Sequence, residues 1–329
     1  MADDREYRKH YEFLKGEVEK RLAQVVAERK PHTVYDPIRY ILKSGGKRVR
    51  PVLLLLSCEV VGANIREALD AAAAIEVLHT FTLVHDDIMD EAETRRGRPT
   101  IHTTWDSNVA ILSGDQMVAL AFRSLLRTKS VPVKHIAQEL TRAFIEVCEG
   151  QGYDKEFEER TDVSVEEYLR MVEKKTAVMI STATAIGAMV GRGARREVIA
   201  LRRFGRFLGI AFQIQDDMLD IVGDESEFGK KIGGDLKQGK KTYPILRALE
   251  SVRGRDRELI RRVMQRKVRT KRQIRDVRRM MESHGAIDDT RELVRLNTRR
   301  AQAALGPLRA CRAKEMLHWL ADELLVRSH

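Results

Sequence analysis

The stretch ALDAAAAIEVLHTFTLVHDDIMD, residues 68–90, decides the fold. It contains neither glycine nor proline and is rich in alanine, leucine and valine. It is also several times longer than an ordinary β-strand, so it reads as one long helix. It closes on three aspartates, Asp86, Asp87 and Asp90. On a helix Asp86 and Asp90 lie one turn apart on the same face, with Asp87 beside them. Carboxylates crowded in this way raise one another's pKa unless a cation intervenes. Hard oxygen donors favour Mg²⁺, which keeps waters and is commonly shared with substrate phosphates.

The same spacing returns in FQIQDDMLD, residues 212–220, at Asp216, Asp217 and Asp220, again at the end of an apolar run. Acidic side chains are unfavourable at helix C-termini, where the macrodipole is negative. Two such clusters in one chain therefore point to metal binding rather than to solvated helix ends. A third acidic group, Asp288-Asp289-Thr290-Arg291-Glu292, follows Ser283-His284-Gly285 as a new helix start would. Acids suit the dipole there, and Arg291 and Arg295 stand near to neutralise them, so this group reads as a cap.

Outward from the clusters, helical periodicity covers 107–126, 133–149 (opened by Pro132) and 195–221. Ser164-Val-Glu-Glu167 has the spacing of a capping box ahead of a long apolar helix toward Gly191, and shorter polar helices follow from Thr242. Breaks at Gly45-Gly46, 96–99, 223–239 and Gly254 read as loops. No strand–turn–strand pattern, fixed repeat or low-complexity linker is evident. The expectation is an all-α fold forming one domain over 1–329, with 251–329 as its basic helical C-terminal region.

Composition narrows the class. Hydrophobic residues make up 43% of the 329, enough for a sizeable core. Three widely spaced cysteines, Cys58, Cys148 and Cys311, give neither a disulfide framework nor a zinc spacing, which implies a reducing compartment. The first residues, MADDREYRKHYEF, lack the apolar core of a signal peptide, and the longest uncharged run, 177–191, is shorter than a spanning helix needs. A cytoplasmic protein is expected. The net charge of +11 is uneven: residues 251–329 hold 21 Lys/Arg against 10 Asp/Glu, and the rest of the chain balances. This region reads as a solvated arginine-rich surface, with peripheral contact to an anionic membrane as the alternative. Nucleic acid is not expected, because no aromatics interleave the arginines and both acidic clusters would go unexplained.

Diphosphate binding needs fixed cations as well as metal. GGKRVRP, residues 45–51, offers flexible backbone and three cations, and TRRGRP, 94–99, follows the first aspartate cluster. Phe228-Gly229-Lys230-Lys231 and DLKQGKKT, 235–242, follow the second. Each aspartate cluster is thus trailed by a glycine-containing basic loop.

With LVHDDIMDEAETRRGRPT, EKKTAVM, FQIQDDMLD and FGKKIGGDLKQGKKTYP in this order, the chain resembles the trans-isoprenyl diphosphate synthases of the polyprenyl synthetase family, over roughly residues 40–250. The likeness is greatest to short-chain geranylgeranyl diphosphate synthases. It implies a bundle of ten or more helices around a central apolar cavity, usually a homodimer, with about three Mg²⁺ per active site. Carried over by position, Lys47, Arg50, His79 and Arg96 would hold isopentenyl diphosphate. Asp86, Asp90 and Asp216 would ligate Mg²⁺ bridging to the allylic prenyl diphosphate, supported by Asp87, Asp217 and Asp220. Arg95, Lys175, Thr176, Gln213, Lys230 and Lys240 would clamp that diphosphate. The catalytic set implied is Asp86, Asp87, Asp90, Arg95, Lys175, Asp216 and Asp217.

In this family the residues one to two turns before the first cluster floor the chain pocket. Phe81, five residues before Asp86, resembles the aromatic of the geranylgeranyl type, with Thr82 at four and Leu78 at eight. Five helical residues span about 7.5 Å, of the order of one or two isoprene units. A helical wheel places Thr82 rather than Phe81 under Asp86, so ordinary core remains the other reading of Phe81. Farnesyl or longer-chain synthesis is the nearest alternative. A terpene cyclase would not need the second cation set, and a non-catalytic synthase subunit would tend to lack aspartates that are all present here.

Overall fold

The computed structural model describes all residues except 1, 28, 224–232, 266–269 and 326–329. Contacts gather the chain into two compact units. The first is Met1–Arg142, Thr182–Arg202 and Pro307–Trp319, and the second is Ala143–Ser181, Arg203–Gly306 and Leu320–His329. The fold is all-α. Among the described residues no helix is long and apolar enough to cross a membrane.

In the first unit, helices α1 (Ala2–Val25), α2 (His32–Lys43), α3 (Val49–Val60) and α6 (Ser107–Leu125) pack on α4 (Leu69–Met89), with the short α5 (Ile101–Thr104) ahead of α6. The alanine run explains the arrangement. Ala71 to Ile75, Val77 and Leu78 are fully buried, so α4 is apolar on nearly all sides and is wrapped by its neighbours. Leu53 to Leu56 of α3 are likewise fully buried, each contributing about 1.5–3 kcal/mol relative to exposure. The clusters' predicted placement holds, since α4 ends at Met89 with Asp90 as its C-cap.

The second unit contains α8 (Val165–Val172), α11 (Gly234–Gln238), α12 (Tyr243–Ser251), α13 (Gly254–Met264), α14 (Lys271–Ser283) and α15 (Ala286–Ala304). It also holds the C-terminal parts of α7 (Val133–Glu159) and α10 (Arg195–Val222). The remaining helices are α9 (Val178–Val190) and α16 (Arg312–Leu325). Phe204, Leu208, Ala211, Ile214, Met218 and Ile221 form the buried stripe of α10 at helical spacing. Gln213, Asp217 and Asp220 form a row beside it at i, i+4 and i+7. Gly285 caps α15 with Asp288 and Asp289 in its first turn, as the cap reading of that acidic group requires.

Three details differ from the sequence reading. Helix α7 runs ten residues past Glu149, through Gly150 and Gly152. The long helix after the capping box of Ser164 and Glu167 is interrupted at Glu173–Ala177 by a π-helical turn. The loop at 96–99 belongs to a hairpin, β1 (Thr94–Arg95) with β2 (Arg98–Pro99), whose two-residue turn has Arg96 at φ 53 and Gly97 at φ 72. Positive φ at both turn residues is the geometry that matches strand twist in a tight hairpin.

Candidate functional site

At the end of α4 the three aspartates are not equivalent. Asp87 is only 3% exposed. Its Oδ1 accepts from Nε of Arg95 at 2.7 Å, with Nη2 of Arg95 also at 2.7 Å. The β1–β2 hairpin therefore returns Arg95 onto the helix that precedes it. Asp86 is half-buried and Asp90 exposed.

The cationic loop of the same unit is built around one buried residue. Arg48 is left-handed at φ 51 and 3% exposed, between Gly46 at φ 140 and α3. Its Nη1 donates to Glu76 at 2.7 Å, its Nε to Glu19 at 2.7 Å and its Nη2 to the Leu42 carbonyl at 2.5 Å. Of the loop's three cations, Arg48 is thus consumed by the fold, while Lys47 is exposed and Arg50 half-buried. Nη1 of Arg50 lies 3.0 Å from Nε2 of His79. Burial, and then the charges of Arg50, Arg96, Arg95 and Arg48, push the His79 pKa well below its ordinary value. An arginine only donates, so Nε2 is the acceptor and the proton sits on Nδ1. Arg96 donates Nη1 to the Gly45 carbonyl, and a Cβ on Gly46 would lie 2.6 Å from that nitrogen. The GGK and RRG motifs, about fifty residues apart, meet as one cation cluster.

In the second unit the π turn is fastened residue by residue. Glu173 accepts from Nε of Arg206 at 2.5 Å and Nη2 at 2.7 Å, and Lys174 donates to Glu149. Nζ of Lys175 donates to Asp154 at 2.6 Å, and Oγ1 of Thr176 to Oε1 of Gln213 at 2.8 Å. Two glycines make room for the widened turn. A Cβ on Gly150 would lie 2.4 Å from the Lys175 nitrogen, and one on Gly209 2.5 Å from Cα of Ala177. From Gln213 the chain of bonds continues, Nε2 donating to Oδ1 of Asp217 at 2.8 Å, while the buried Tyr168 hydroxyl donates to Oδ2 at 2.6 Å.

Lys175, Thr176, Gln213, Asp216, Asp220 and Lys240 line one cleft of about 300 Å³ in this unit. Burial, then Asp235 and Asp216, push the Asp217 pKa up to about 8. Burial and then Asp235 push Asp220 up to about 6, although its Oδ2 accepts from the Asp235 backbone N–H at 2.9 Å. Asp216 is exposed. The donor set fits a hard divalent cation: it is all oxygen and it is charge-crowded. Among the described residues no three His, Cys, Asp or Glu groups form a closed cage. A cation held by one or two carboxylates and shared with a phosphate, the habit of Mg²⁺, is the form that suits it.

The structure thus brings together Arg50, His79 and Arg96; Asp87 and Arg95; and Lys175, Thr176, Gln213, Asp216, Asp217, Asp220 and Lys240. Lys230 lies outside the described residues. Phe81 is buried at 7% exposure, its ring 4.5 Å from that of His85 one turn on. Sequence reasoning missed Asp154, Tyr168, Asp235 and Lys241. Lys241 is 5% exposed, donates Nζ to the Glu158 carbonyl at 2.9 Å and also lines the cleft. Asp235 and Lys241 sat within a quoted motif. Asp154 and Tyr168 carried no local signal, because their roles come from helices that meet only in the fold.

The polyprenyl synthetase family profile matches residues 31–281. The short chain isoprenyl diphosphate synthase of Methanothermobacter thermautotrophicus is 38% identical over 312 residues, 94% of this chain and 95% of that one. Among solved structures, geranylgeranyl pyrophosphate synthetase from Pyrococcus horikoshii superposes with a TM-score of 0.91 at 33% identity, over 97% of this chain and 99% of the other. A decaprenyl diphosphate synthase from Rhodobacter capsulatus has the same TM-score at 29% identity, covering 99% of each chain. The chain belongs to the polyprenyl synthetase family and is an all-α trans-prenyltransferase.

Proposed function

We propose that the protein condenses isopentenyl diphosphate with an allylic diphosphate to give geranylgeranyl diphosphate. One observation carries the two-substrate reading. Arg50 and Arg96 bring two positive charges to bear on the buried His79 within the first unit, and Lys175 and Lys240 line a cleft within the second. Lys47, Arg50, Arg96 and the Nδ1–H of His79 hold isopentenyl diphosphate. Arg95, Lys175, Thr176, Gln213, Lys230 and Lys240 hold the allylic diphosphate. Asp86, Asp90 and Asp216 ligate Mg²⁺, about three ions by family habit, and Asp87, Asp217 and Asp220 hold that shell in shape.

Mg²⁺, when bound, supplies positive charge to the leaving diphosphate as the allylic carbon–oxygen bond ionises. The lysines add fixed charge to the same oxygens and lose no orientation energy doing so, since Asp154 already restrains Lys175. The double bond of isopentenyl diphosphate attacks the allylic carbon, and loss of a proton gives an allylic diphosphate five carbons longer. Buried apolar helix faces keep water from the cation.

Equal likeness to structures named for geranylgeranyl and decaprenyl products means that fold does not select product length. Phe81, buried one turn before His85 on the helix that carries Asp86, favours the short product. Farnesyl diphosphate is the second reading. Product analysis with labelled isopentenyl diphosphate, each allylic primer and Mg²⁺ tests both. No extension from any primer sinks the synthase reading, and a fifteen-carbon end product sinks only the length assignment. Phe81→Ala should lengthen the product.

Two further roles extend this reading. Ile111 and Leu112, exposed by 44% and 51% on α6, are the surface a second copy would cover in a homodimer. Residues 253–279 carry 13 Lys/Arg against 3 Asp/Glu, a charge concentration suited to peripheral contact with anionic lipid. Salt-sensitive flotation with anionic but not neutral vesicles tests the second.

A further inference from the structure

The helix that opens the chain touches the cationic loop at two points. The hydroxyl of Tyr11 donates to the carbonyl of Lys47, and the carboxylate of Glu19 accepts from Nε of Arg48 at 2.7 Å. Tyr11 is held in turn, edge-on to the indole of Trp319 at 6.4 Å. The loop so held has an unusual backbone. Gly45, Gly46 and Arg48 all have positive φ, at 75, 140 and 51. A left-handed conformation is unfavourable at an arginine, so it persists where surrounding bonds over-determine it.

Those bonds converge on one guanidinium. Glu76 is 2% exposed in the alanine-rich stretch of α4, where an unpaired carboxylate would be costly. Arg48 satisfies it at 2.7 Å, and Glu19 and the Leu42 carbonyl take the remaining faces. Lys47 precedes Arg48 directly and Arg50 follows two residues later. Any rotation of the loop about Arg48 moves both, together with the 3.0 Å contact from Arg50 to His79.

We propose that Tyr11 and Glu19, acting through Lys47 and Arg48, are positioning residues for the isopentenyl diphosphate site, so that α1 sets the affinity of that substrate alone. The inference rests on the assignment of Lys47, Arg50 and Arg96 to isopentenyl diphosphate. Neither residue touches substrate. Tyr11→Phe removes one neutral hydrogen bond from the loop, and Glu19→Gln takes the charge from a second while Glu76 still pairs with Arg48.

The test is steady-state kinetics and calorimetric titration of the full chain. Tyr11→Phe should raise KM for isopentenyl diphosphate about fivefold and Glu19→Gln about tenfold, from the usual worth of neutral and charged hydrogen bonds. KM for the allylic diphosphate and kcat should stay within about twofold. Leu14→Ala on the same helix, at a fully buried position, is the control. It should lower Tm more than either variant without changing the ratio of the two KM values. An unchanged isopentenyl diphosphate KM, or a parallel rise in both KM values, overturns the proposal. If the wild type extends no primer, the functional reading fails on its own. Titration with isopentenyl diphosphate still decides the positioning role, since affinity that is equal in wild type and variants overturns it.

Discussion

Asp87 and Asp217 occupy the same place in two copies of one motif, and both are buried, at 3% and 7% exposure. Asp87 is met by a guanidinium, with Arg95 returned to it by the hairpin that follows α4. Asp217 is met by a phenol and an amide, and the charges of Asp235 and Asp216 push its pKa up. One cluster carries its own counter-charge within the fold. In the other, the Asp217 pKa is pushed up to about 8 by burial and by those anions, and its hydrogen-bond donors are the neutral Tyr168 and Gln213. Identical spacing in sequence therefore does not mean identical electrostatics. In each cluster the outer residues are the more exposed ones, Asp86 half-buried and Asp90 and Asp216 exposed.

The comparison can be broken most directly at those outer residues. Asp86→Ala and Asp216→Ala should each lower kcat/KM about 10²–10³-fold, the usual cost of removing one preorganised charge-stabilising group. If one of them leaves turnover unaffected, the two clusters do not share the metal-binding role. A smaller, opposed pair comes next. Asp87→Asn strands Arg95 beside a neutral amide and should cost about 3 kcal/mol by denaturant titration, whereas Asp217→Asn, among neutral partners, should cost under about 1 kcal/mol. Equal losses would erase the distinction drawn above.

Glycine positions rank third. Gly209→Ala drives a Cβ against the backbone of Ala177, which cannot move as a flexible side-chain tip could. A loss of about 2 kcal/mol is expected, with a raised KM for the allylic substrate as Thr176 shifts. The smallest effect concerns pH. Asp217 and Asp220 have folded pKa values raised above the unfolded 3.8, so their contribution is fully present below about 4. It is lost as pH rises through about 6 for Asp220 and about 8 for Asp217. Without divalent cations Tm should fall across that window. Mg²⁺ should restore roughly 2–4 °C more at pH 8 than at pH 5, since it offsets the charges present only at the higher pH.

What could be seen in advance follows the range of each interaction. Helix α6 and the boxes at Ser164 and Glu167 are local matters of periodicity and capping, and their limits fell within a residue of expectation. The acidic group at 288–292 was separable from the metal clusters because its position at a helix start is also local. The expected helix over 133–149 stops at the residue before Gly150, whereas α7 runs on to Glu159. Gly150 admits the backbone of Lys175 from another segment, a requirement invisible at position 150 alone. The π turn escaped for the same reason. Arg48 stood among three apparently equivalent cations, and only the meeting of Glu19 and Glu76 distinguishes it from Lys47 and Arg50.

One glycine has a consequence for how the end of α4 could change over time. Gly114 of α6 lies under His85, where a Cβ would come within 2.2 Å of Nε2, and His85 in turn braces the ring of Phe81. Enlarging residue 114 would displace the imidazole before it touched Phe81, and shrinking Phe81 alone would leave the imidazole without the ring it packs against. Residues 81, 85 and 114 are therefore coupled, so the effect of a substitution at one depends on what stands at the other two.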